Sequence, residues 1–171
     1  MALAQAFVFA DRVAHNLKAF DCGKPEMNKF LAQSAVKHMQ LGLSYTWVLA
    51  NEGQEKAAVA AYYTLASATV SRDKIPFGRS LPRYQLPVVL LARLAVDKQY
   101  QGRKIGDKTL ITALRKSVEL TRIDRGLPAL GLVLDVLDDD ALGFYQKYEM
   151  FEPFTDDPMR LFASMHVLAQ I

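Results

Sequence analysis

Hydrophobic and polar positions along this chain change period several times, and each change marks an element. "FVFADRV", Phe7 to Val13, alternates over a short span and predicts a strand. In "PEMNKFLAQSAVKHMQ", Met27, Phe30, Leu31, Ala35 and Met39 recur at helical spacing, with Pro25 at the opening and Gly42 just past the end. Tyr45–Ala50 reads as a strand, Asn51–Gly53 as a turn, and Ala57–Val70 as a long return strand with room for a bend. Leu86 to Val96 is nearly unbroken apolar sequence, which predicts a strand covered on both faces. A helix from about Lys104 to Ile123 would bury Ile105, Leu110, Ile111, Leu114 and Val118. Leu130–Leu137 is a second buried strand. A short helix then runs from the Asp138–Asp140 triplet through Tyr148, with Asp138 or Asp139 as its N-cap, and "RLFASMHVLAQI" closes the chain as a strand. Strands around one long helix imply a mixed α/β domain.

Composition narrows this picture in a few places only. The 171 residues suffice for one domain spanning 1–171, with no repeat, low-complexity tract or linker to divide it. Cys22 is the one cysteine, which excludes an internal disulfide framework and fits a reducing cytoplasm. No apolar run reaches the length of a membrane span, and Asp11 and Arg12 interrupt the N-terminal stretch too early for a secretory leader. His15, His38 and His166 lack metal-ligand spacing, so no metal is expected.

The junction "YQGRKIGDKTL", Tyr100 to Leu110, carries the clearest chemistry. A strand end, a small polar loop and the first turn of a long helix together present free backbone N–H groups, the usual seat of a phosphate. Lys104 stands where a second glycine would be expected. At positive φ a lysine costs roughly 1–2 kcal/mol; at helix-like angles it costs little and adds an ammonium beside Arg103 and Lys108. The net charge of +3 is mild, but Arg72, Lys74, Arg79 and Arg83 cluster in a loop broken by prolines. Arg93 interrupts an apolar strand, where a charge needs a partner: a structural ion pair or a bound substrate.

"LARLAVDKQYQGRKIGDKTL" followed by "LVLDVLDDDALGFYQKYEMFEP" resembles the GNAT superfamily of acetyl-CoA-dependent N-acetyltransferases. Gln101, Gly102, Arg103, Lys104, Ile105 and Gly106 fall on that family's Gln/Arg-x-x-Gly-x-Gly/Ala loop. Asp138, Ala141, Phe144, Tyr145 and Lys147 fall on its later Asn-x-x-Ala-x-x-Phe-Tyr-x-Lys element, and Glu149 then replaces a glycine. Over nearly the whole chain, with Phe20-Asp21-Cys22-Gly23, "AAYYTLASATV" and "LARLAVDKQYQG", it is similar to the GNAT toxins of bacterial toxin–antitoxin pairs, which acetylate the α-amino group of aminoacyl-tRNA. The resemblance implies a mixed, mostly antiparallel sheet with splayed buried strands flanked by helices. Acetyl-CoA would be held by the Leu94, Ala95 and Val96 backbone and by the loop from Gln101 to Asp107. Partners would be aminoacyl-tRNA, a cognate antitoxin of small ribbon-helix-helix type and a second copy of the chain. Lys37, Arg72, Lys74, Arg79, Arg83 and Arg93 are candidates for RNA contact.

Acetyl transfer to an amine needs a neutral nucleophile, a polarised thioester and an acid for the thiolate. By resemblance Tyr145 is that acid, since a phenol of pKa ~10 stays protonated at neutral pH. No residue declares itself a strong base, although Glu52 and Asp97 are available. An α-amine of pKa ~7.7–8.0, unlike a lysine at ~10.4, hardly requires one. Two other functions remain open at this level: a GNAT acting on a small-molecule or protein amine, and a non-catalytic CoA- or nucleic-acid-binding module in which Lys104 marks a decayed loop.

Overall fold

A computed structural model of the chain describes residues 2–76 and 80–171. Its elements in order are β1 (Val8–Phe9), β2 (His15–Asn16), α1 (Pro25–Lys29), a π-helical turn (Phe30–Ser34), α2 (Ala35–Leu41), β3 (Tyr45–Asn51), β4 (Ala57–Val70), β5 (Leu86–Val96), α3 (Ile105–Leu120), β6 (Gly131–Asp135), α4 (Asp139–Gln146), β7 (Glu152–Pro153), β8 (Arg160–Ser164) and α5 (Met165–Leu168). The strands form one eight-stranded sheet in the order β1-β3-β4-β5-β6-β8-β7, with β2 beside β4. Its ladders are mostly antiparallel; β2–β4 and β5–β6 are parallel. This is the mixed α/β architecture the sequence pattern implies.

The chain divides into two compact units, Met1–Ala66 with Ala92–Ala113, and Ser67–Leu91 with Leu114–Ile171. In the first, the helical segment opens at Pro25, whose missing N–H costs nothing at the first helical position. It stops at Gly42, at φ 74°, in a paired C-terminal closure: Gly42 N–H donates to Met39 O and Leu43 N–H to His38 O. Between those ends the repeat widens to a π turn over Phe30–Ser34, which the 3.6-residue pattern did not anticipate. The inner face packs Phe20, Phe30, Leu31, Ala35, Val48, Val59 and Tyr62 into one core cluster. Each large side chain buried there contributes roughly 1.5–3 kcal/mol. The expected bend in β4 is a bulge. Leu49 pairs with Ala61 but Ala50 pairs with Val59, which leaves Ala60 as the extra residue. Its carbonyl accepts the Asp97 N–H at 2.8 Å.

In the second unit, Val70, Ile75, Leu86, Val88, Val133, Phe154 and Phe162 form the core cluster. Gly131 is required there by close approach: a Cβ on it would lie 2.5 Å from Ala163 O and 2.6 Å from a Phe162 ring carbon.

Four expectations change. β5 is not buried on both faces: Pro87 is exposed and most of its C-terminal half is half-buried. Its parallel ladder with β6 covers only Val89 and Leu90, so Leu94–Val96 have no β6 partner among the described residues. The long helix ends at Leu120, where the Thr121 hydroxyl turns back onto Ser117 O, and Ile123 lies in a separate exposed turn. Its buried stripe is Thr109, Leu110, Ala113, Leu114 and Ser117, displaced from the expected one towards small residues. Finally, the last segment is a strand only to Ser164. Met165–Leu168 make a helical turn, pinned by Met165 N–H to Leu130 O and by burial of Leu168.

Candidate functional site

The phosphate-loop candidate lies wholly in the first unit. β5 ends at Val96, one tight turn covers Lys98–Tyr100, and Gln101–Lys104 are exposed before α3 begins. Two residues take left-handed angles, Gly102 at φ 80° and Lys104 at φ 60°. Lys104 is the only non-glycine residue with positive φ among those described. Of the two conformations open to it, the loop adopts the strained one, contrary to the helix-like alternative that would have suited Arg103 and Lys108. Left-handed and right-handed residues in succession turn consecutive N–H groups towards one point, a ready anion seat. The N–H groups of Ile105, Gly106 and Asp107 precede the first helical bond of α3, Lys108 N–H to Lys104 O at 3.1 Å. Backbone donors, the helix dipole and three nearby cations, Arg103, Lys104 and Lys108, therefore suit a pyrophosphate.

What fixes this loop is the Phe20-Asp21-Cys22-Gly23 segment. The Asp21 carboxylate accepts the Gly23 N–H at 2.8 Å and the Asn28 amide at 2.9 Å, and it pairs with Lys98 Nζ at 3.4 Å. Asn28 Oδ1 in turn accepts the Cys22 N–H, and Asp97 accepts the Asp21 and Gln99 N–H groups. The Gln101 side chain donates to Cys22 O at 3.2 Å and Val96 O at 2.9 Å. Gln101 thus holds the strand end to the motif through its side chain. Asp97, considered as a base, has both carboxylate oxygens engaged in this knot. These backbone and amide hydrogen bonds hold the Asp21 carboxyl below the usual carboxylate range. Below the loop, buried Tyr100 takes a hydrogen bond from the Asn51 amide and lies under the Arg103 guanidinium, 5.6 Å away.

Also in the first unit, Arg93 lies 4.5 Å over the Phe30 ring. Phe30 sits on the π turn, stacked against Tyr62 at 6.4 Å, and the Tyr62 hydroxyl donates to Met27 O at 2.7 Å. Burial raises the Tyr62 phenol far above its ordinary pKa, and the nearby Arg93 charge offsets a little of that. The sequence marked Phe30 only as one of the apolar positions of a helix and did not single out Tyr62 or Asn28. Cys22 is half-buried, its thiol pKa raised by burial and its sulfur directed at Lys24 O at 3.7 Å, the environment of a packed thiol. Lys37 is exposed on α2.

The second unit holds Tyr145. It lies on α4, whose N-cap is Asp138, with Ala141 N–H donating to the carboxylate at 2.9 Å. Tyr145 is buried between edge-on contacts to Phe144 at 5.1 Å and Phe151 at 5.8 Å. Burial pushes its phenol well above the ordinary value. Glu149 needs no glycine-like geometry, because the turn after α4 closes through Tyr148 N–H to Tyr145 O with no positive φ. Among the basic candidates in this unit, Arg72 is spent on the loop, donating to Leu81 O at 2.6 Å, and Lys74 pairs with Asp156 at 3.0 Å. Arg83 is exposed, and Arg79 lies outside the described residues. Among the described residues, no three His, Cys, Asp or Glu side chains gather as a metal site.

No family model matches the chain. It is, however, 32% identical over 154 residues to a tRNA-acetylating toxin of Mycobacterium tuberculosis, covering 89% of this chain and 87% of that protein. The chain belongs to the family of GNAT tRNA-acetylating toxins. Solved structures share the fold. A tyrosine-to-phenylalanine mutant of KacT superposes with a TM-score of 0.87 at 23% identity, covering 99% of both chains. AtaT complexed with acetyl-methionyl-tRNA for fMet gives 0.85 at 24% identity, covering 99% of this chain and 98% of that one. A mutant AtaT bound to acetyl-CoA and the C-terminus of its antitoxin AtaR gives 0.79 at 22%, covering 98% and 96%. The toxin is an acetyl-CoA-dependent acyltransferase by this membership.

Proposed function

We propose that the toxin moves the acetyl group of acetyl-CoA onto the α-amino group of an aminoacyl-tRNA and thereby blocks translation. The observation that carries the cosubstrate half is the 101–107 loop, where left-handed Gly102 and Lys104 open onto the N-terminus of α3. Family membership carries the tRNA half. In this reading the backbone of Gly102–Asp107 holds the pyrophosphate. Leu94, Ala95 and Val96, unpaired on their β6 side, offer main-chain groups to the pantetheine arm. The amine nitrogen attacks the thioester carbon and the C–S bond breaks. The departing thiolate takes the Tyr145 phenolic proton, the proton lost by the amine passes to water, and the phenolate recovers a proton from water to close the cycle. Burial pushes the Tyr145 phenol up, so it is protonated when the thiolate forms, while the same shift makes it a weaker acid than a free phenol. Arg83, Lys37 and Arg93 would meet the RNA; Arg72 and Lys74, already engaged inside the chain, fit a structural role better.

A cognate antitoxin of ribbon-helix-helix type and a homodimeric, cytoplasmic toxin complete the proposal; the antitoxin complex of AtaT supports an antitoxin partner and no more than that. Among the described residues no helix is long and apolar enough to cross a membrane. The test is a cell-free translation reaction supplied with the toxin, with and without acetyl-CoA. Arrest that requires acetyl-CoA supports the proposal; unaffected synthesis under both conditions contradicts it.

A further inference from the structure

We propose that Arg93 is a preformed seat for one phosphodiester of the single-stranded acceptor end of the tRNA. Arg93 is half-buried, and its Nε is enclosed, with no hydrogen-bond partner among the described residues. No carboxylate of the described residues pairs with it, so the structural ion pair that would justify a cation in this strand is missing. A guanidinium partly removed from water without a counter-charge is unfavourable unless an anion arrives from outside. One face of the group is covered by Phe30 at 4.5 Å, which holds the plane in place; with Nε enclosed, a bidentate contact would be made by the two terminal Nη nitrogens.

The platform itself is rigid. Phe30 is backed by Tyr62 and flanked edge-on by His38 at 5.4 Å, and Tyr62 is tied to Met27 O. The π turn Phe30–Ser34 gives Phe30 this place, and such turns are frequent at functional sites. The anion class follows from the substrate: an aminoacyl ester has lost its carboxylate, and the charge that remains along the RNA is phosphodiester. The phosphates of CoA are the second source of the same chemistry, but the 101–107 loop with Arg103, Lys104 and Lys108 already answers them. The inference rests on the tRNA reading above.

The test measures binding, so it stands apart from turnover. A fluorescent hairpin ending in single-stranded CCA is titrated across a salt series against the wild-type chain, Arg93→Gln and Arg93→Lys, with circular dichroism as the folding control. Neutralising one phosphate contact removes ~0.7–0.9 from the slope of log affinity against log salt. Arg93→Gln is expected to lose that increment and Arg93→Lys to keep it, while a blunt hairpin without the CCA end shows no difference between variants. A merely structural arginine would leave the slope unchanged. An unchanged slope in a folded Arg93→Gln protein overturns the proposal. So does a loss confined to acetyl-CoA affinity, measured in parallel by calorimetry, which would assign the seat to CoA. Failure of the tRNA reading itself would show separately, as wild-type protein with no affinity for either hairpin.

Discussion

Replacing Lys104 separates backbone strain from charge in the cofactor loop. Lys104 sits at φ 60°, where an L-residue is disfavoured by roughly 1–2 kcal/mol. Glycine there removes that strain, but its freer unfolded chain returns roughly 0.4–1 kcal/mol of it. Lys104→Gly should therefore be more stable than Lys104→Ala by about 0.8 kcal/mol at mid-range, since both variants lose the ammonium and only one loses the strain. For a chain of this size that corresponds to roughly 2–3 °C in Tm. Calorimetry on the pair, with wild type between them or level with alanine, reads the difference directly. The same two proteins report on charge: if the ammonium meets a CoA phosphate, both lose acetyl-CoA affinity to a similar degree. Equal Tm values for the glycine and alanine variants would refute the left-handed loop and the anion seat built from it. A loss of affinity in alanine only would assign the effect to strain and not to charge.

Three further outcomes follow from the same geometry. Gly131→Ala forces a Cβ into the Ala163 carbonyl and the Phe162 ring, and should cost about 1–3 kcal/mol, read as a lower urea midpoint with an unchanged m-value. Asp21→Ala should raise KM for acetyl-CoA with little change in KM for charged tRNA, because the lost hydrogen bonds hold the strand end and not the RNA; Asp21→Asn, which keeps the acceptor oxygen, should behave near wild type at neutral pH. The Asp21 carboxyl is depressed in the folded state, so its contribution is present above the unfolded carboxylate value of ~3.9 and fades as pH falls through the lower folded value. In an acid titration of stability, wild type should therefore stand above Asp21→Asn at neutral pH and meet it only there, although the two share a KM for acetyl-CoA. Tyr145→Phe should fold, bind acetyl-CoA and lose most of its kcat, and wild-type kcat should show no alkaline decline from this phenol below pH ~10; near-normal turnover in the variant would remove Tyr145 from the acid role.

Local signals in the sequence carried much of this architecture. Pro25 and Gly42 bracket one helical segment because φ preferences act within a residue or two, and Asp138 caps α4 for the same reason. β4 spans Ala57–Val70 as its β-branched and aromatic run suggested. Long-range features were not visible in this way. The contact of Asp21 with Asp97 joins residues 76 apart, and nothing in Phe20–Gly23 by itself says that it fastens the cofactor loop. The π turn is one residue of slippage inside an otherwise helical repeat, below what periodicity resolves. The end of the chain misled because a five-residue strand and a one-turn helix share the apolar run Leu161–Leu168, and only the partner of Met165 N–H decides where one stops. The site was legible as motifs; which arginines are occupied, as Arg72 is, and which have an Nε without a partner among the described residues, as Arg93 does, required coordinates.

The most direct test of the central claim is transfer of labelled acetyl from acetyl-CoA to a charged total tRNA pool, beside the same pool after deacylation. Label is expected on the charged pool alone, released by mild base as a single N-acetyl amino acid. Label on the deacylated RNA, or none on either while acetyl-CoA still binds, would contradict it.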